Sequence, residues 1–132
     1  MGSAIAALAC RARARTMLYD PAPDALGEGI RRAHEHLKRL GAREGLSAQQ
    51  SRAAALLQPV DELADLRDCE LIIEAAPERI KLKHELYAHL SELVDPECVL
   101  ATNTSSLPVT AIAAGARHPA RVVGMHFFTP HR

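Results

Sequence analysis

Residues able to do chemistry directly follow apolar segments at four places in this sequence. Carboxylates accept hydrogen bonds from sugar hydroxyls, hydroxyl groups orient a substrate oxygen, and an imidazole moves a proton near neutral pH. In chain order these groups are Asp20, the pair Glu74 and Glu78 with nearby Lys83, the run Asn103-Thr104-Ser105-Ser106, and His126. Together they are typical of a binding or catalytic site.

Each of these residues also has an ordinary structural interpretation. Asp20 can end a strand before Pro21, and Glu78 near a helix start is stabilised by the helix dipole. Ser105 and Ser106 suit helix N-caps, and a histidine between apolar residues is usually a hydrogen-bonded core residue. The occurrence of all four groups after apolar strands favours the functional interpretation.

Apolar patterns that alternate between strand and helix predict an α/β fold for this chain. Strands are predicted at Thr16–Tyr19, Glu70–Ala76, Cys98–Thr102 and Arg121–Phe128. Helices are predicted at residues 3–12 (buried on both sides), from Leu26 to Gly41 or Gly45, from Ser47 to about Leu57, from Pro77 along the stripe Leu82, Leu86, Leu90 and Leu93, and at Leu107–Ala114. Strands that are apolar throughout and separated by helices indicate a doubly wound parallel sheet. Ligands of such sheets bind outside the carboxyl ends of the strands, where the four groups are expected to line one crevice.

The composition indicates one globular domain without a nucleic-acid or membrane partner. The 132 residues are 48% hydrophobic and 24% charged, and their formal net charge is zero. No apolar run approaches the roughly 20 residues that span a bilayer. Cys10, Cys69 and Cys98 lie far apart, which favours reduced thiols in a cytoplasmic protein, and no metal site is predicted.

Gly2 and Asp20 match the opening of a Rossmann-like dinucleotide-binding unit. Such a unit begins with a strand, a G-x-G-x-x-G turn and a helix, and an acidic residue for the ribose follows about 20 residues on. Asp20 comes 18 residues after Gly2, which fits the third glycine. The usual first strand and most of the glycine-rich turn are therefore expected to be lacking.

Three later motifs carry a resemblance to a known family. Glu74-Ala75-Ala76-Pro77-Glu78-Arg79, Asn103-Thr104-Ser105-Ser106-Leu107 and Gly124-Met125-His126-Phe127-Phe128 occur in this order. Their sequence and spacing resemble the nicotinamide-binding domain of 3-hydroxyacyl-CoA dehydrogenases. The resemblance covers essentially the whole chain.

The resemblance implies an enzyme that oxidises an (S)-3-hydroxyacyl-CoA to the 3-oxoacyl-CoA and passes a hydride to NAD. It implies that His126 is the general base that takes the hydroxyl proton. Ser105 resembles the serine that binds the substrate oxygen and approaches the nicotinamide. Asp20 is implied to hold the adenosine ribose, and Pro21, where an NADP enzyme would place an arginine, favours NAD.

Further binding residues are implied by the same resemblance. Gly2 belongs to the cofactor turn, and Glu78 and Lys83 match a cofactor-contacting pair, with Lys83 also available to the CoA. Arg43 falls near a lysine that binds a CoA phosphate. Thr129 stands where the family usually has an asparagine that helps to hold the nicotinamide and the substrate carbonyl.

The chain departs from the family pattern after its first predicted helix. Arg13-Ala14 stands where the family commonly has Gly-His. The glycine that is usual just past a helix end is therefore missing.

The resemblance also implies parts outside this sequence. Residues 1–132 are expected to be an incomplete NAD-binding domain. A glutamate that orients His126 and a helical C-terminal domain that forms a homodimer are expected beyond Arg132. The full protein is expected to act in fatty-acid β-oxidation or related acyl-CoA degradation, while the isolated chain is expected to bind NAD poorly and to show no measurable turnover.

Two alternatives stay open at this point. The chain can be a vestigial or accessory nucleotide- or CoA-binding fragment without turnover. A short-chain dehydrogenase is less favoured because that class needs a Tyr-x-x-x-Lys pair. Here Tyr19 and Tyr87 have Pro23 and Ser91 at that spacing.

Overall fold

A computed structural model describes residues 1–44 and 52–127, with only the backbone at positions 43 and 44. The chain forms two compact units, Met1–Leu63 and Ala64–Arg132. Strands in both units pair in parallel, which confirms the α/β class. The strands form two sheets rather than the one expected sheet, and in the described residues no strand joins the two.

The first unit places two helices on a two-stranded sheet. Its elements are α1 (Gly2–Arg11), β1 (Thr16–Tyr19), α2 (Pro23–Glu44) and β2 (Leu57–Val60), with Thr16 in register with Leu57. Ala7 and Cys10 of α1 and Leu37 of α2 are buried in one cluster. The small side chains of α1 let the two helices approach closely.

Several sequence predictions for this unit hold, and two are wrong. The strand at Thr16–Tyr19 is confirmed, and α2 carries the predicted buried stripe but starts at Pro23, which suits the first turn of a helix. Helix α1 is confirmed, although it is not buried on both sides, because Leu8 is 46% exposed. Residues 52–54 are helical, but Leu57 begins a strand that the sequence reading missed. The predicted helix start at Ser47 lies outside the described residues.

The missed strand β2 is short and contains a proline. Pro59 lacks the N–H that a strand residue donates, so a proline argues against a strand in the sequence. The residue is exposed in a two-stranded sheet, where every strand is an edge and the missing donor is tolerated.

The second unit repeats the parallel pattern with three strands in the order β3-β4-β5. A 3-10 helix (Leu63–Leu66) precedes β3 (Leu71–Glu74), α3 (Ile80–Leu93), β4 (Val99–Thr102), α4 (Val109–Ala113), a second 3-10 helix (Pro119–Arg121) and β5 (Val122–Gly124). The strands and α-helices confirm the predicted order and are shorter than predicted, whereas the two 3-10 helices were not predicted. No helix in the described ranges is long and apolar enough to cross a membrane.

The buried face of α3 differs from the predicted leucine stripe. Lys83, Tyr87 and Leu90 are its buried residues, at positions i, i+4 and i+7. Leu82, Leu86 and Leu93 are only partly buried and flank this line. A lysine therefore occupies a core position, which the preference of lysine for solvent argues against.

Arg13 adopts a left-handed backbone conformation where α1 ends. Its φ is 69°, and among the described residues it is the only non-glycine residue with a positive φ. The Ala14 N–H donates to the Ala9 carbonyl and the Arg13 N–H to the Cys10 carbonyl, both at 3.0 Å, which is the Schellman pattern. The glycine that the family has near this point therefore has a steric reason.

We expect Arg13→Gly to stabilise the chain. The left-handed region costs an L-residue about 1–2 kcal/mol, which glycine avoids. The greater freedom of glycine in the unfolded chain offsets roughly half of this gain, so the free energy of unfolding should rise by about 0.5–1 kcal/mol. Urea unfolding followed by circular dichroism measures it. Ala14→Gly is the control, since Ala14 has no positive φ and its replacement should lower stability. Equal destabilisation by both changes would contradict the interpretation.

Candidate active site

The three strands of the second unit end in line, so the segments after them start at one edge of the sheet. Glu74, Thr102 and Gly124 are in register across β3, β4 and β5. The segments that follow contain Glu78, the run Asn103–Ser106 and His126. This is the carboxyl edge, where parallel sheets bind ligands.

Glu78 joins the segment after β3 to the segment after β4. Its Oε2 accepts hydrogen bonds from the hydroxyls of Thr104 and Ser106, each at 2.6 Å, and a longer one of 3.4 Å from the Ser106 N–H. The Thr104 hydroxyl oxygen in turn accepts the Leu107 N–H at 3.0 Å. One carboxylate therefore sets the path of the chain on both sides of Ser105.

Lys83 supplies the positive charge of this cluster from inside the protein. Its side chain is 0% exposed, and its Nζ lies 2.7 Å from Glu78 Oε1 and 3.2 Å from Glu74 Oε2. Hydrogen bonding by Lys83, with further contributions from Ser106 and Thr104, lowers the pKa of Glu78 to about 2. Glu78 is therefore ionised at neutral pH.

Glu74 completes the cluster at its buried end. Its side chain is 2% exposed, and Oε1 accepts the hydroxyls of Thr102 at 2.8 Å and Tyr87 at 3.3 Å. Oε2 accepts the Ala76 N–H at 2.7 Å in addition to the Lys83 contact. Burial, and then the charge of Glu74, raises the pKa of Tyr87.

Sequence reasoning missed this buried part of the site. In the sequence, Glu74 is only one carboxylate after a strand, and Tyr87 is a tyrosine with Ser91 where a Tyr-x-x-x-Lys pair has its lysine. The spacing of Lys83 and Tyr87 by four residues does place them on one helix face. That spacing, on the helix face turned toward a strand that ends in Glu74, is the sequence signal that could have revealed the buried part of the site.

Asn103 holds the segment after β5 beside the segment after β4. Its Oδ1 accepts the Phe127 N–H at 2.9 Å, and the Met125 N–H donates to the Thr102 carbonyl at 3.0 Å. His126 lies between these two anchored residues, and both His126 and Ser105 are exposed. The two side chains that the sequence suggests for catalysis are thus on neighbouring anchored segments.

The remaining predicted residues lie elsewhere or are not described. Gly2 begins α1 and Asp20 follows β1, both in the first unit. Arg43 is in the last turn of α2 and its side chain is outside the described part. Thr129 and Phe128 also lie outside the described residues. Among those that are described, no group of three or more His, Cys, Asp or Glu side chains could hold a metal ion.

Comparison with known proteins identifies the family of this chain. The family model described as "3-hydroxyacyl-CoA dehydrogenase, NAD binding domain" matches residues 1–132. The chain belongs to this family. It corresponds to the NAD-binding domain of 3-hydroxyacyl-CoA dehydrogenases.

Individual relatives show how much of a family member this chain covers. It is 40% identical to 3-hydroxyadipyl-CoA dehydrogenase of Escherichia coli, over 98% of this chain and 28% of that protein. It is similar to the crystal structure of Mycobacterium tuberculosis FadB2, with a TM-score of 0.91 and 39% identity, over 98% of this chain and 46% of that one. It is also similar to (S)-3-hydroxybutyryl-CoA dehydrogenase PaaH1 of Ralstonia eutropha, with a TM-score of 0.89 and 30% identity, over 97% and 46%. The chain thus spans less than half the length of these relatives.

The described residues fit the NAD that the family binds. Asp20 is half-buried at the carboxyl end of β1, and its Oδ1 accepts the Ala22 N–H at 2.9 Å. A carboxylate has about four acceptor positions, so one backbone bond leaves capacity for ribose hydroxyls. The chemistry of this side chain therefore suits the sugar of a dinucleotide.

We expect the Thr104–Ser106 segment of this family member to detach from Glu78 in acid. The folded-state pKa of Glu78 is lowered from 4.5 to about 2, so its contribution is present above pH 4.5 and is lost as the pH falls toward 2. A two-dimensional ¹⁵N NMR titration should show the Ser106 and Leu107 amide signals moving well below pH 4.

Two variants check the assignment of this transition. Glu78→Gln should remove it, whereas Glu85→Gln, at an exposed position of α3, should leave it unchanged. A Ser106 signal with its midpoint at pH 4.5 would show that the donors do not hold Glu78 as described.

Proposed function

We propose that this chain is the NAD-binding part of an enzyme that oxidises an (S)-3-hydroxyacyl-CoA to the 3-oxoacyl-CoA. The observation that supports this most is the pair of anchored segments that carry Ser105 and His126 at the carboxyl edge of a family domain. The name of the Ralstonia relative supports the (S) configuration and the acyl-CoA substrate.

In the proposed reaction His126 accepts the proton of the substrate hydroxyl, while the hydrogen on the carbon that carries this hydroxyl leaves as a hydride. NAD, when bound, supplies the acceptor for that hydride. The Ser105 hydroxyl donates a hydrogen bond to the substrate oxygen, where negative charge develops as the proton leaves. Exposure of both side chains is consistent with their access to a substrate.

The cofactor-binding residues of this proposal follow from the family resemblance. Gly2 belongs to the cofactor turn and Asp20 serves the adenosine ribose. Glu78 and Lys83 are a cofactor-contacting pair, and Ser105 approaches the nicotinamide. The Glu78–Lys83 pair at 2.7 Å supports their joint role. Thr129 is the further nicotinamide residue of the proposal.

The CoA is assigned to Lys83 and Arg43. Lys83 is buried between two carboxylates, so its contact with a CoA requires the ammonium to move away from at least one of them. Arg43 follows from the resemblance alone.

The whole-protein properties belong to the same proposal. They are a second, helical domain, a homodimer, a cytoplasmic location and a role in fatty-acid β-oxidation or related acyl-CoA degradation. The greater length of the relatives supports a further domain. A nucleotide- or CoA-binding fragment without turnover is the other outcome that the experiments below distinguish.

A grafted enzyme gives the proposed function a direct test. In it, residues 1–132 replace the matching segment of the Ralstonia enzyme, which supplies the rest of its chain. Oxidation of (S)-3-hydroxybutyryl-CoA by this graft would support the proposed dehydrogenase function. Cofactor binding without turnover in a folded graft would favour the non-catalytic fragment.

We expect the graft to prefer NAD to NADP. The carboxylate of Asp20 accepts ribose hydroxyls and repels a 2′-phosphate, so kcat/KM should be at least about tenfold higher with NAD, or ~1.4 kcal/mol. Asp20→Ala should reduce this preference by weakening NAD use. Asp24→Ala, in the first turn of α2, is the control and should not change it. A wild-type preference for NADP would refute the assignment.

We expect His126→Gln to abolish most turnover of the graft while NAD binding stays near normal. Loss of a general base typically lowers the rate about a hundredfold to ten-thousandfold. Ser105→Ala should slow the reaction less, because water can partly replace a hydroxyl. Stopped-flow measurement of NADH formation and calorimetric titration of NAD give the two quantities.

His118→Gln is the matched control for the histidine change. His118 is exposed and precedes the 3-10 helix Pro119–Arg121, on the amino side of β5 rather than after the carboxyl end of a strand. It should keep full turnover. Near-normal turnover of His126→Gln would show that another group takes the proton.

A further inference from the structure

Glu74 is a buried carboxylate to which the proposed reaction gives no role. Thr102, Tyr87, Lys83 and the Ala76 N–H all direct donors at its two oxygens, at distances of 2.7–3.3 Å. A carboxylate buried to this degree is costly unless it is fully paired, as it is here. Its place next to Lys83 gives it a connection to the site.

The burial of Lys83 depends on both of its carboxylates. Glu78 is at the surface, with 35% of its side chain exposed, whereas Glu74 is on the buried side. If the ammonium had an acceptor only on its outer side, it would move toward water, because the lysine side chain is long and flexible. Glu74 is therefore what keeps the Lys83 ammonium inside the unit.

The position of Lys83 decides where Glu78 can lie. Lys83 holds Oε1 of Glu78, while Oε2 of the same carboxylate receives Thr104 and Ser106. An outward shift of the ammonium would carry Oε1 with it and strain both hydroxyl contacts. The effect would reach Ser105, which stands between these two hydroxyl residues.

We propose that Glu74 is a positioning residue that acts through Lys83 and Glu78 to hold the Thr104–Ser106 segment and its Ser105 hydroxyl in place. This rests on the proposed function for the role of Ser105 toward substrate. The hold on the segment itself does not depend on NAD or substrate. Its test is therefore made first on the 132-residue chain without ligands.

Hydrogen exchange of the Leu107 amide reports the order of this segment. That amide donates to the Thr104 hydroxyl oxygen, and the amides of the central strand β4 serve as an internal reference for global unfolding. In Glu74→Gln and in Glu78→Gln, protection of Leu107 relative to β4 should fall about tenfold.

Tyr87→Phe is the matched control for the loss of a buried hydrogen bond. It removes the 3.3 Å contact with Glu74 but keeps the Glu74–Lys83 pair and the shape of the side chain. It should lower the global stability that β4 reports without lowering the protection of Leu107 relative to β4. Equal relative loss in Tyr87→Phe and Glu74→Gln, or no relative loss in Glu74→Gln, would overturn the proposal.

A second variant decides the case if Glu74→Gln does not fold. Glu74→Asp keeps the charge and shortens the arm by one methylene, so the Lys83 contact is lengthened rather than lost. Relative protection of Leu107 should fall by a smaller factor than in Glu78→Gln. Unchanged protection in Glu74→Asp would overturn the proposal.

The link to catalysis has its own measurement in the graft. If Glu74 acts through Ser105, Glu74→Gln should lower kcat in the graft and add little further loss in a Ser105→Ala background. Independent, multiplying losses would overturn the route through Ser105. A graft without turnover but with the Leu107 effect present would mean failure of the proposed function alone.

Discussion

The second unit is organised around the ammonium of Lys83 between two carboxylates. A lysine whose side chain is 0% exposed cannot remain charged without close acceptors, so Glu74 and Glu78 are needed for the helix face that carries it to pack on the sheet. The two acceptors are the first and the last residue of the segment 74–78 that leaves β3. The same contact thus fixes both where that segment turns and where α3 docks.

The order of the segments at the carboxyl edge follows from this contact. Glu78 reaches the segment after β4 through two hydroxyls, and Asn103 of that segment reaches Phe127 beyond β5. Each link uses a side chain to hold a segment that belongs to a different strand. Loop positions that regular backbone pairing cannot set are therefore set by polar side chains. Among the described residues, no buried side-chain nitrogen or oxygen lacks a hydrogen-bond partner.

Local sequence was enough to predict four of the five described strands and the polar segments that follow three of them at the carboxyl edge of the second sheet, because apolar runs and strand ends depend on neighbouring residues. The buried Lys83 could not be predicted in this way, since lysine is normally a solvent-exposed residue and its partner Glu74 lies on another element. The contacts of Glu78 with Thr104 and Ser106 join residues 26 and 28 positions apart. β2 was missed because Pro59 gives it the composition of a loop. In each case a tertiary partner, which no local pattern contains, decides the structure.

The saturation of Glu78 has a consequence for cofactor binding in the proposed enzyme. A carboxylate offers about four acceptor positions, and Lys83, Thr104 and Ser106 already direct four donor groups at this one. A cofactor hydroxyl that binds Glu78 must take the place of one of these donors, and the weakest is the Ser106 N–H at 3.4 Å. Binding there would then adjust the backbone next to Ser105 and leave the charge pair and both hydroxyl contacts intact. In the proposed enzyme, contact of the cofactor with Glu78 and the placement of the Ser105 hydroxyl are thereby coupled through the Glu78 side chain. Glu74 sets the geometry from which that coupling starts.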